Sequence, residues 1–386
     1  MQLPSPRQTQ RTEPEYSLAR MVLYFLRLGT FGFGGPIALA GYMQRDLVEN
    51  RKWLTNDEYL EGLALSQLAP GPLAAQLAMY LGFLRAGWLG ATLVALAFIG
   101  PSFIMVVLLA VVYVRYGGLP WMQAAFYGIG AAVIGIIARS AWKLMKTTLK
   151  SDVLLWIIFA VLAVSTAATE REIVWLFLAG GMIALAIEAF PRRAVSAPMY
   201  SLVFLPLILP GSLGKFGEVL GYFAKAGLFV FGSGLAIVPF LHGGVVVEHR
   251  WLTERQFLDA VAVAMITPGP VVITVAFIGF IVAGLSGATA AALGVFAPVY
   301  AVVILIAPYY KRFAKNPQLH AFVRGVTAGA TGAIAGAVVV LARRAIHDVP
   351  TGIIAATTLL LLLRWKIPEP LLIAAAGVAG LALHHA

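Results

Sequence analysis

The motif Ala69-Pro70-Gly71-Pro72 interrupts an apolar stretch and returns 198 positions later as Thr267-Pro268-Gly269-Pro270. The same offset carries Trp53-Leu54-Thr55 onto Trp251-Leu252-Thr253, and Phe31, Phe33 and Gly34 onto Phe229, Phe231 and Gly232. Three separated segments held in one register identify an internal duplication. Proline has no backbone N–H and pushes its predecessor out of the helical region, so both copies must break a helix at the same place. In a membrane chain, breaks at corresponding positions of two repeats point to a transport site.

Composition places the chain in a membrane. Only 12% of its residues are charged and 60% are hydrophobic, whereas a soluble domain carries roughly 25% charged residues. Residues 87–114 and 325–342 are apolar runs that cross or nearly cross a hydrocarbon layer of about 30 Å. No series of short alternating segments is present, which excludes a transmembrane β-barrel. The expected fold is therefore an all-α polytopic membrane protein built from two homologous halves. Residues 1–15 are polar and lack the apolar region of a signal peptide, so they read as a disordered tail.

The absence of cysteine excludes disulfides, thiolate metal sites and cysteine nucleophiles. The six histidines show no ligand spacing on a common helix, so neither a metal nor a cofactor is expected. The formal charge of +11 has two readings. It retains loops on the cytoplasmic side, or it attracts an anionic substrate. The cations are scattered among hydrophobic segments, which argues against nucleic acid.

The chain divides into a first repeat at 16–195, a linker at 196–213 and a second repeat at 214–386. In the first, Gly32-Phe33-Gly34-Gly35-Pro36 interrupts an apolar helix. Residues 45–52 read as a polar connection. Thr55 and Glu58 have the spacing of a capping box for a helix over 56–68. The next helix is expected to begin at Pro72, a favourable first helical position. Neither helix beside the Pro-Gly-Pro turn is long enough to cross alone, so the pair reads as a re-entrant hairpin or two half-helices. Full spans are expected near 87–113, 120–144, 153–168 and 173–190. Past the turn the offset becomes 197, matching Gly87, Gly90 and Pro101 to Gly284, Gly287 and Pro298. Five spans per half would make the second copy an inverted-topology repeat.

Helices that start at the two turns present free N–H groups near Leu73 to Ala75 and Val271 to Ile273, and helix N-termini bind anions. The candidate substrate contacts are thus Pro70, Gly71 and Pro72 with Pro268, Gly269 and Pro270, together with Gly34 and Gly35. Side chains pair across the repeat as well: Arg27 with Lys225, Gln76 with Thr274, and Glu61 with Asp259. Ionisable residues at the centre of a span cost about 3 kcal/mol, which makes them functional candidates. The cations suit an oxyanion, and the carboxylates suit coupling or an internal ion pair. The competing readings are packing kinks for the turns and snorkelling side chains for the charges. Phe31, Phe33, Phe229 and Phe231 read as core or gate packing, and Trp53 and Trp251 as an interfacial belt. Arg139 and Arg324 do not correspond across the repeat and are secondary candidates.

Phe31 to Pro36, Trp53 to Thr55, Gln67 to Pro72 and Tyr80-Leu81-Gly82 together resemble the chromate ion transporter family. Gly87 to Ala91 and Pro101-Ser102-Phe103 extend the likeness. It covers residues 16–386 and matches the long, two-domain form. The resemblance implies efflux of chromate across the bacterial inner membrane, driven by membrane potential or a proton gradient, with sulfate as the structural analogue. Expected partners are a chromate- or sulfate-like oxyanion and the lipid bilayer, with a homodimer as an open arrangement. Ser233-Gly234 and Met265 replace Gly35-Pro36 and Gln67 in the second half, so the first half is the stronger candidate for substrate contact. Rival readings are sulfate uptake, a membrane-embedded enzyme, and a scaffold or sensor. The enzyme lacks a nucleophile–base or metal-ligand cluster, and the scaffold leaves the paired breaks unexplained.

Overall fold

The computed structural model describes residues 16–33, 35–117, 119–170, 174–188, 214–228, 237–309, 316–365 and 367–383. Every regular element among them is a helix, and the helices of one half recur in order in the other. The first half contains α1 (Leu18–Phe31), α2 (Gly35–Met43), α3 (Asn56–Leu68), α4 (Leu73–Tyr116), α5 (Pro120–Leu149), α6 (Val153–Thr169) and α7 (Val174–Glu188). The second contains α8 (Gly214–Leu228), α9 (Ile237–His242), α10 (Glu254–Ile266), α11 (Thr274–Ile306), α12 (Pro317–Ala345), α13 (Val349–Arg364) and α14 (Glu369–Leu383). The tail at 1–15 and the linker at 196–213 lie outside the described residues.

Among the described residues, α4, α5, α12 and the segment Val271–Ile306 are long and apolar enough to cross a membrane. The shorter apolar helices are α6, α7, α13 and α14. Both α4 and α11 are broken within. Gly87 (φ 58°) and Gly284 (φ 62°) adopt a conformation that side chains resist, each beside a non-helical alanine. Gly82 packs on Gly90 across the first break, and Gly279 on Gly287 across the second.

Residues 45–52 are not an open connection. Helix α2 widens into a π-helix, Gln44–Asn50, and α9 does the same over Gly243–Glu248. The Arg51 and His249 N–H groups donate to Asp46 and Gly244 carbonyls five residues back, at 3.1 and 2.8 Å. A polar run keeps its backbone donors satisfied this way, which is why polarity alone misread it as a loop.

The halves interlock. Helix α5 packs on α13 and α14 of the second half, while α12 packs on α6 and α7 of the first. Glycines permit the close approach: Gly128 meets Ala376 and Gly380, and Gly325 meets Gly180. Tyr127, near the start of α5, donates to Asp348 just past the end of α12, at 2.5 Å. Arg324, near the start of α12, pairs with Asp152 just past the end of α5, at 2.5 Å. Helices α5 and α12 therefore run antiparallel. Equivalent helices of opposite sense place the pseudo-twofold axis across the helices, the relation that defines an inverted repeat.

Candidate functional site

The capping boxes form in both copies. The Glu58 N–H donates to Thr55 Oγ1 at 3.2 Å and the Thr55 N–H to Glu58 Oε2 at 2.9 Å. Thr253 and Gln256 repeat the exchange at 3.2 and 3.0 Å. Such caps contribute about 1 kcal/mol and fix where α3 and α10 begin. Both helices end in an extended residue, Ala69 and Thr267, as the following proline requires. Pro72 and Pro270 are themselves extended N-caps rather than first helical residues.

Each turn rests on a long helix of the other repeat. Ser102 Oγ on α4 lies 2.8 Å from the Pro268 carbonyl oxygen and 3.2 Å from that of Gly29, with one hydrogen between them. The Gly269 N–H donates to the Gly32 carbonyl at 2.8 Å. Gly71 packs against Val299 on α11. Ser102 and Val299 follow Pro101 and Pro298, so the contacts are pseudosymmetric. Gly71 (φ 135°) and Gly269 (φ 97°) both occupy backbone conformations that favour glycine.

The donors differ between the turns. In the first, Gln76 N–H makes the initial bond of α4, to Pro72 O at 3.0 Å. The N–H groups of buried Leu73, Ala74 and Ala75 precede it. In the second, a 3-10 turn at Val271–Ile273 already uses the Ile273 N–H on Pro270 O, at 2.9 Å. Gln76 splints its turn, donating from Nε2 to Pro70 O at 2.7 Å and towards Ala69 O at 3.4 Å. Its buried Oε1 has no partner among the described residues, and as an acceptor it does not suit an oxyanion. Thr274 Oγ1 donates to Val271 O at 2.7 Å. Both side chains thus shape their own turns.

Arg27 and Lys225 are exposed on α1 and α8. Arg27 lines a cavity of about 610 Å³ with Tyr24, Phe31, Gly32, Arg45 and Arg51. Phe31 is 71% exposed and Phe33 40%, so they border this space and are not core. Gly35 (φ 75°) opens α2, whereas Gly34, Phe229 and Phe231 lie outside the described residues. Trp53 stacks on Tyr16 and Trp251 on His249, with ring centres 4.8 and 4.4 Å apart. Sequence reasoning missed Arg45 and Arg51, because they fall in the run taken for a connection. It also missed Ser102, although Pro-Ser-Phe carried part of the resemblance.

Asp259 is buried on α10 and accepts a 2.7 Å hydrogen bond from the Tyr113 hydroxyl on α4. Glu61 is half-buried on α3. Arg324 bridges Asp152 and Glu188, and Arg139 stands 3.9 Å from Glu369, so both hold helices together. At the other end of α12, Arg344 pairs with Glu170 and Glu254, and Glu254 also bonds buried His242 at 2.7 Å. Among the described residues no group of three or more His, Asp or Glu side chains could hold a metal ion.

The family model described as chromate transporter matches the chain twice, over residues 19–185 and 217–381. The chain is 56% identical to a chromate transport protein of Cupriavidus metallidurans, covering 97% of this chain and 96% of that one. It is 54% identical to a probable chromate transport protein of Synechococcus elongatus, over 95% and 96%. A chromate transport protein of Pseudomonas aeruginosa is 32% identical, over 96% and 94%. No solved structure matches. With bacterial relatives of this extent and several membrane-crossing helices, the chain is a multi-pass bacterial membrane protein. Two matched repeats filling nearly its whole length place it, in the long two-domain form, within the chromate transporter family.

Proposed function

We propose that the protein is a secondary transporter that exports chromate across the inner membrane and so confers chromate resistance. The observation that carries this reading, beyond family membership, is the pair of buried Pro-Gly-Pro turns, each seated on a long helix of the opposite repeat. Broken backbone at membrane depth persists only where protein or a wet cavity satisfies it. Turns coupled across the pseudo-twofold axis move when the halves rock, which is what alternating access requires. The anion binds to N–H groups at the starts of α4 and the Val271–Ile273 turn, with Arg27 and Lys225 supplying positive charge. Asp259 and Glu61 serve as coupling groups. Outward movement of the dianion is favoured by an inside-negative potential, worth about 2.3 kcal/mol per charge per 100 mV.

Backbone donors do not distinguish tetrahedral dianions of similar size, so sulfate is the second substrate reading. The working division into repeats at 16–195 and 214–386, joined by 196–213, is supported by the family matches falling inside those bounds. The decisive measurement is chromate uptake into inverted vesicles, with sulfate as competitor and an uncoupler in parallel. Accumulation driven by the potential is expected. No uptake, with expression and orientation verified, would sink the export reading.

A further inference from the structure

The cavity beside α1 has a charge balance that the residues in register with it in the second repeat lack. Three guanidinium groups line it: Arg27 on α1, Arg45 on the π-helix and Arg51 at that helix's end. Its one carboxylate, Asp46, lies 3.5 Å from Arg45 Nε and accepts weak bonds from the Tyr24 hydroxyl and Asn50, both at 3.4 Å. Three cations against one anion leave a surplus of two positive charges.

Neither Arg27 nor Arg51 pairs with a carboxylate among the described residues. Arg51 is held by aromatic rings instead, with its guanidinium carbon 4.8 Å from the centre of the Trp53 ring and 5.5 Å from that of Tyr24. Stacking fixes the group without neutralising it, so its N–H fork stays available to an oxyanion. At about 610 Å³, the space holds a small anion together with water.

In the second repeat, the residues in register with Arg27, Arg45, Asp46, Asn50 and Arg51 are Lys225, Gly243, Gly244, Glu248 and His249. At these positions one lysine stands against one glutamate, and His249 Nδ1 lies 3.7 Å from a further carboxylate, Glu218, so no surplus of cations results. Gly244 lies under the Tyr222 ring, which fills the place where a longer side chain would sit. Because the repeats are inverted, these two regions face opposite sides of the membrane.

We propose that Arg27, Arg45 and Arg51 form an oxyanion-recruiting antechamber on one face of the transporter, with no equivalent on the other. The antechamber joins the transport path through Gly32, which lines the cavity and accepts the Gly269 N–H of the second turn. This inference rests on the reading of the chain as an oxyanion transporter. A cationic concavity raises the local concentration of an anion and speeds its capture, an effect that salt screens.

The test is chromate flux in proteoliposomes of known orientation, measured from each face for the wild type, Arg45→Gln/Arg51→Gln and the remote control Arg343→Gln. The double variant is expected to raise KM about tenfold from one face only, with maximal rate within about twofold. Its KM should also lose the salt dependence seen in the wild type. Equal KM and equal salt dependence in wild type and double variant would overturn the antechamber. Calorimetric binding of chromate to the purified protein at low ionic strength is measured alongside. Should the wild type carry neither chromate nor sulfate, transport fails as a reading. The binding result then decides the antechamber alone, with equal binding by the double variant overturning it.

Discussion

Ser102 of the first repeat donates its hydroxyl hydrogen to the Pro268 carbonyl of the second, across 2.8 Å of buried space. The equivalent residue, Val299, offers Gly71 only a methyl group. One turn is therefore hydrogen-bonded to its opposing helix, and the other is merely packed against it.

Gly269 is the least replaceable residue of that junction. A Cβ built there would lie 1.9 Å from Ser102 Oγ, on a backbone with φ 97°. We expect Gly269→Ala to lower chromate flux by about a hundredfold or more, since a displacement of roughly 1 Å costs that much at a tuned site. Ser102→Ala should cost only about 1 kcal/mol of stability. Flux assays and thermal melting of the purified variants check the two.

Gln76 holds the first turn by donating to Pro70 and Ala69 carbonyls. Gln76→Glu would set an acceptor against those carbonyls, whereas Gln76→Leu only removes the donor. Leaving buried carbonyls unpaired costs about 1–3 kcal/mol. Both variants should lose flux, Glu more than Leu, as read in the same vesicles after normalising for inserted protein.

Asp259 tests coupling separately from binding. Its bond to Tyr113 joins α10 to α4. Asp259→Asn keeps the shape and removes the titratable carboxyl. The expected outcome is flux that still follows the membrane potential but no longer responds to an imposed proton gradient. An unchanged response to that gradient would assign Asp259 to packing.

The glycine contacts between repeats predict stability rather than rate. A Cβ on Gly128 would fall 1.9 Å from the Ala376 carbonyl oxygen, and backbone cannot move aside. Gly128→Ile should abolish recovery of monodisperse protein, since overpacking costs about 1–3 kcal/mol or more. Gly221 on α8 has nothing within 4 Å. Gly221→Ala should be neutral or stabilising by up to about 1 kcal/mol. Size-exclusion profiles and melting curves distinguish them.

Much of the fold was legible because proline, glycine and capping residues act locally. Thr55 and Glu58 mark the start of α3 and Pro70 its end, while the break at Gly87 coincides with the start of an expected span. The π-helices were not legible, since a five-residue hydrogen-bond spacing leaves no mark on polarity. At the site, the backbone breaks could be read from Pro70 and Pro268 alone. The engagement of Gln76 and Thr274 within their own turns could not, because it depends on side-chain direction. Arg45 and Arg51 gain meaning only when the π-helix turns them to the same cavity as Arg27.

The exchange of α5 and α12 between repeats bears on how the chain is made. Helices α6 and α7 emerge from the ribosome well before α12, the element that covers them. The first repeat must therefore wait in the bilayer with its glycine-notched faces against lipid until the second is inserted in the opposite sense. Assembly is complete only when the last helices, α13 and α14, close over α5. A premature stop anywhere in the second repeat would thus leave the first one inserted but unfinished, a substrate for membrane quality control.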